Sequence, residues 1–137
     1  MPLSVTGPFV AMAVLCQRLD RQPDGTVDVR GVVDGVQVEL PTDPHTAEPM
    51  MIPLLGVVSL RAGTTRGSKE ITVRGHYPSG DAGPTVSRRV QFSDTFPNAT
   101  LTVPLELEVD QEGTYWFDVA ADGQLLTRIS LLVHRRS

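Results

Sequence analysis

Three histidines, one cysteine and a scatter of carboxylates are the residues of this chain that could do chemistry, so their spacing decides which chemistry is open to it. A metal centre asks for His, Cys or carboxylate ligands at short fixed intervals. His45 falls in a proline-rich stretch, His76 in a segment of alternating polarity and His134 near the C-terminus, with no HxH, HxxxH or CxxC among them. No metal and no cofactor is expected. A serine nucleophile would announce itself by a GxSxG elbow ahead of a helix, and phosphate binding by GxGxxG or GxxxxGKS in a strand–loop–helix frame. Gly31, Gly35 and the glycines of residues 63–67 form neither pattern. Glu106 and Glu108 stand at i, i+2 and would suit an acid/base pair or a calcium edge. The solvated outer face of a strand is the preferred reading of them. The chain is therefore expected not to be an enzyme.

Cys16 is the single cysteine, which excludes an intramolecular disulfide and suits a reducing, cytoplasmic setting. It closes the apolar run Met12-Ala13-Val14-Leu15 and reads as a small buried hydrophobe. A lipoprotein signal is not expected there, because no Lys or Arg precedes the run and Leu15 is too bulky beside a cleavage point. The apolar stretch from Pro8 to Leu15 is also far shorter than the roughly twenty residues that cross a bilayer. No membrane partner is expected.

Those residues must be held by elements, and the composition says which. The 137 residues suit one domain spanning 1–137, with 40% hydrophobic and 20% charged residues, and they can bury a core without disulfide or metal. Twelve Gly and eleven Pro break the chain into short apolar runs, as many turns between many strands would. A formal net charge of −4 argues against nucleic acid, whose phosphates ask for a basic face. The basic clusters Arg88-Arg89 and His134-Arg135-Arg136 read as a solvated strand edge and a tail.

No segment carries a helical apolar period, whereas period-2 alternation recurs. Leu101, Val103, Leu105, Leu107 and Val109 share one parity, with Thr100, Thr102, Pro104, Glu106 and Glu108 on the other. Pro104 lacks an N–H and points to an edge strand or a bulge. Tyr115, Phe117 and Val119 point inward, Trp116 and Asp118 outward, and Asp122-Gly123 supplies a tight hairpin turn. The next strand puts Leu125, Thr127, Ile129, Leu131 and Val133 inward, and Leu126, Arg128, Ser130 and Leu132 on the mixed face. Further strands are expected over residues 9–17, 27–33, 36–40, 54–60, 71–77 and 86–92. The parity switch at Asp34-Gly35 marks a bulge or bend by which one strand serves two sheets. The stretch Pro41 to Pro49, holding Asp43, His45 and Glu48, reads as a crossing loop. Seven or eight short strands make an all-β antiparallel sandwich.

Asp110-Gln111-Glu112-Gly113-Thr114-Tyr115-Trp116-Phe117 resembles the corner before the penultimate strand of immunoglobulin-like domains. Tyr115 would be the corner tyrosine, its hydroxyl returning to the turn, and Phe117 would hold the core place of the antibody cysteine. With Val14-Leu15-Cys16, Asp24-Gly25, Val29 to Asp34 and Asp122 to Leu126, this series resembles an uncharacterised family of short bacterial proteins, a domain of unknown function with a β-sandwich. The resemblance runs from Val14 to Val133. It implies an immunoglobulin-like fold and a bacterial cytoplasmic origin, and carries over no catalytic or binding residue.

Residues 9–16 and 54–60 are apolar on both parities, although an antiparallel sandwich normally wets one face of each strand. Trp116, Leu126 and Leu132 add outward apolar area. The leading expectation is a non-enzymatic interaction or scaffold domain whose protein partner is itself, in a C2 homodimer or higher homo-oligomer, with Trp116, Leu126 and Leu132 at the contact. The alternatives are cover of the doubly apolar strands by long loops, a sandwich binding a small ligand or carbohydrate, and an enzyme of unrecognised type.

Overall fold

A computed structural model describes residues 6–39 and 50–135. It holds ten strands: β1 (Phe9–Cys16), β2 (Arg18–Arg21), β3 (Val27–Arg30), β4 (Gly35–Val38), β5 (Met50–Arg61), β6 (Gly67–His76), β7 (Ala82–Phe92), β8 (Asn98–Val109), β9 (Gly113–Ala121) and β10 (Gln124–Arg135). Eight of them form two sheets, ordered β1-β5-β8 and β4-β10-β9-β6-β7, while β2 and β3 pair as a separate hairpin. All pairings are antiparallel except that of β4 with β10. The order β10-β9-β6-β7 is that of the sheet that carries the last two strands of variable-type immunoglobulin sandwiches, and β1-β5-β8 matches the opposing one. The crossing loop expected from Pro41 to Pro49, with His45, lies outside the described residues, as do Leu40 and Arg136. Among the described residues no helix is long and apolar enough to cross a membrane.

Alternation builds the core. Val103, Leu105, Leu107 and Val109 of β8 meet Tyr115, Phe117 and Val119 of β9 and Leu131 and Val133 of β10 in one buried cluster. β8 lies at a sheet edge, as Pro104 implies, and Pro104, Glu106 and Glu108 are exposed. Asp122 at φ 47° and Gly123 at φ 84° make the β9–β10 turn, whose positive φ values few residues tolerate. Asp122 is tied further to β6, accepting at Oδ1 from Glu70 N at 2.8 Å. That bond, followed by the Lys69 ammonium, holds its carboxyl below the usual range.

The chain changes sheets between β3 and β4, around the predicted bend at Asp34-Gly35. The strand expected over 27–33 nevertheless stops at Arg30, and Arg18–Arg21 forms a strand where none was expected. This β2–β3 hairpin follows directly on β1, and its first strand touches β5. β5 is the centre of its sheet. Leu54, Val58 and Leu60 face the sandwich core, so Val57 faces away from it, as Cys16 does from Leu15. Both are nonetheless 0% exposed. Leu19, Val27 and Val29 are half-buried in the hairpin, and Arg21 Nη2 ties it to β8 by donating to Thr100 O at 3.2 Å. Cys16 Sγ donates to Arg18 O, and burial pushes its thiol pKa up. The cover on this face comes from within the chain.

In β10 the outward parity expected for Leu126 is corrected. A bulge between Leu125 and Thr127 inserts one residue, which rotates the strand's start by one position. Leu126 therefore packs against the core and Leu125 is 47% exposed.

Candidate functional site

The site is built on the outer face of the five-stranded sheet. Because β9 buries Tyr115, Phe117 and Val119, it must present Trp116 and Asp118 to the other side. Register then sets their neighbours. Ser130, Trp116 and His76 stand in one row across β10, β9 and β6, and Arg128, Asp118 and Arg74 in the next. Asp118 Oδ1 accepts from Arg128 Nε at 2.9 Å, and Oδ2 lies 3.1 Å from His76 Nε2. An ionised carboxylate only accepts, so Nε2 carries the proton and His76 donates. The Asp118 side chain is 23% exposed and that of Arg128 59%, so the trio adds little stability and instead fixes the orientation of three polar groups.

A cavity of about 400 Å³ opens beside this trio, walled by Trp116, Tyr77 and Pro78. A second, of about 380 Å³, shares Asp118 and Arg128 and continues past Arg74 and Thr72 to Leu125. The wall at Pro78 depends on the corner below it. Gly113 has φ 129°, and a Cβ there would stand 2.9 Å from Pro78 Cβ, so glycine serves both the conformation and the approach. Tyr115 fills the corner as expected, its hydroxyl donating to Gln111 O at 2.7 Å and its ring meeting Tyr77 edge-on at 5.5 Å. Burial, ahead of the other influences, pushes both tyrosine pKa values up; for Tyr77 the charges of Glu108 and Asp110 add to it.

Tyr115→Phe removes that donor and leaves Gln111 O without it. The expected loss is about 1–2 kcal/mol in urea unfolding, the scale of one buried hydrogen bond. An unchanged midpoint would show that the ring alone makes the corner.

Of the predicted interface residues, Trp116 is 44% and Leu132 40% exposed, whereas Leu126 has left the face. Trp116 pairs with Ser130 and Leu132 with Thr114, so the two are diagonal neighbours across β9 and β10. His76, which the sequence leaves as an isolated strand histidine, belongs to the Asp118–Arg128 cluster. Its outward parity was readable, but its place beside Trp116 follows from pairing residues some forty positions apart. Among the described residues no group of three or more His, Cys, Asp or Glu could hold a metal.

A family model described as a family of unknown function, DUF6941, matches residues 11–134. No curated protein matches the chain. Among solved structures, an immunoglobulin-like protein from Pseudomonas aeruginosa is similar at 12% identity and a TM-score of 0.40, with 90% of this chain and 98% of that one covered.

Proposed function

We propose that this chain, which belongs to the family of unknown function DUF6941, is a non-enzymatic interaction domain that associates with a second copy of itself. The observation that carries this reading is Trp116, 44% exposed on a strand paired on both sides, with Leu132 diagonal to it. A large apolar ring held on a rigid strand loses little freedom on contact, which is why Trp is favoured at the centres of interfaces. The polar groups nearby support the same reading. His76, Asp118 and Arg128 hold one another in place beside Trp116, which sets a polar rim against the apolar ring. The contact is placed on β9 and β10, with Leu125 at its margin in place of Leu126. One buried thiol suits a reducing compartment, and the domain is assigned to the cytoplasm.

Light scattering tests this. At about 100 µM, where even a micromolar contact is largely occupied, the parent protein is expected at the mass of a dimer or more, and Trp116→Glu and Leu132→Glu at that of a monomer. A monomeric parent overturns self-association. An assembly that survives both substitutions overturns its placement on this face.

A further inference from the structure

We infer that the groove across the outer face of the five-stranded sheet binds a neutral oligosaccharide, with Trp116 as the platform for one sugar ring and Asp118, Arg128, Arg74 and His76 as the groups that read its hydroxyls. This goes beyond the self-association proposed above: it shares the exposed Trp116 with that reading and rests besides on the two cavities and their polar lining. The two cavities share Asp118 and Arg128 as lining residues, so they lie end to end on the same face of the sheet, from Trp116 to Leu125. Each is within the size range of small-molecule sites, roughly 300–1,000 Å³, and together they suit a chain of several residues rather than one compact ligand.

The chemistry of the lining selects the class. Arg74 and Arg128 oppose Glu70 and Asp118 along the groove, so no net charge is offered to a phosphate or to an ammonium group. What is offered is a dense alternation of donors and acceptors. Arg128 engages Asp118 through Nε, leaving its terminal amino groups for a ligand. Each Asp118 oxygen holds one intramolecular bond and keeps a second lone pair. Arg74, exposed beside Asp118 in the register, makes no ion pair among the described residues. A hydroxyl both donates and accepts, and vicinal hydroxyls place such groups at close intervals, which fits a carboxylate flanked by guanidinium and imidazole donors. The ring face of Trp116 gives the apolar counterpart, since the negative face of the indole attracts the polarised C–H groups of a pyranose.

Trp116 is the only tryptophan of the chain, so its emission reports occupancy directly. The protein would be titrated with maltohexaose, cellohexaose, xylohexaose and chitohexaose, at about 0.1 µM protein so that a micromolar self-contact is largely dissociated. At least one sugar is expected to give a saturable change, with the hexamer binding more tightly than its dimer because the groove spans two cavities. Arg74→Ala and Asp118→Asn are each expected to weaken it by about tenfold or more, as removal of a hydroxyl-reading group does. Arg74 is exposed, so its variant tests the groove even if Asp118→Asn melts early. Leu132→Glu, on the same face but outside the groove, should leave sugar binding intact. No saturable change with any of the four sugars at about 10 mM, far above any useful affinity, overturns the inference. So does binding that Arg74→Ala and Asp118→Asn both leave unchanged. A monomeric parent that binds sugar removes the self-association reading and keeps this one; a dimer that binds none does the reverse.

Discussion

Phe117→Ala is expected to cost about 3–5 kcal/mol, the range for truncating a buried phenylalanine. The residue is 0% exposed at the centre of the five-stranded sheet, with β6 on one side and β10 on the other. Its ring lies under Gly75, where a Cβ would come within 3.3 Å of Cε1 and 3.0 Å of Pro84 Cδ. The space above the ring is thus closed by backbone and proline, neither of which can swing in to fill a void, and the cost should fall towards the upper part of that range. Urea unfolding measures it, with the slope unchanged and the midpoint lowered. A loss under about 1 kcal/mol, the scale of a surface change, would mean that the inward parity of β9 is misassigned.

Much of the framework was legible because it is written in local alternation. The inward sets of β8 and β9, the Asp122-Gly123 turn and the Tyr115 corner all follow from neighbours within a few residues, and the edge position of β8 is one of the two readings that Pro104 left open. Three things were not. The bulge at Leu125 and Thr127 leaves no mark in composition, since Leu125 and Leu126 are equally apolar, and only pairing with Ala120 and Val119 decides which of them turns inward. The strand Arg18–Arg21 offers one apolar residue among four, so alternation gave no reason to expect it. The His76–Asp118–Arg128 cluster is a product of register between distant strands, and nothing within any one of them announces it. The part of the candidate site that the sequence did mark, Trp116 and Leu132, is the part carried by a single hairpin.

The β2–β3 hairpin bears on the second large effect, because its first strand touches the doubly apolar β5 and Arg21 bonds it to β8. Val57→Asp places a carboxylate on the outer face of the three-stranded sheet in a seat that is 0% exposed in the parent chain. Two responses are open to the protein. If the hairpin stays down, the charge is buried without a partner, at a cost of about 3–5 kcal/mol. If the hairpin lifts instead, the bonds from Cys16 Sγ to Arg18 O and from Arg21 to Thr100 O are lost. The first response carries a pH signature. Burial raises the folded-state pKa of the new aspartate above its unfolded value, so the penalty is full at neutral pH and fades as the solution falls towards about pH 4. The second carries a chemical one. Cys16 on the same face is 0% exposed, and its thiol pKa is raised, so it should react slowly with a disulfide reagent in the parent protein. A lifted hairpin would expose it, and the reaction in native buffer should then accelerate by about tenfold or more, as expected where local opening controls access. Urea unfolding at two pH values, combined with thiol kinetics, separates the two responses. A stability within about 1 kcal/mol of the parent, together with an unchanged thiol rate, would show that the hairpin does not close this face and that Val57 is free to reach water.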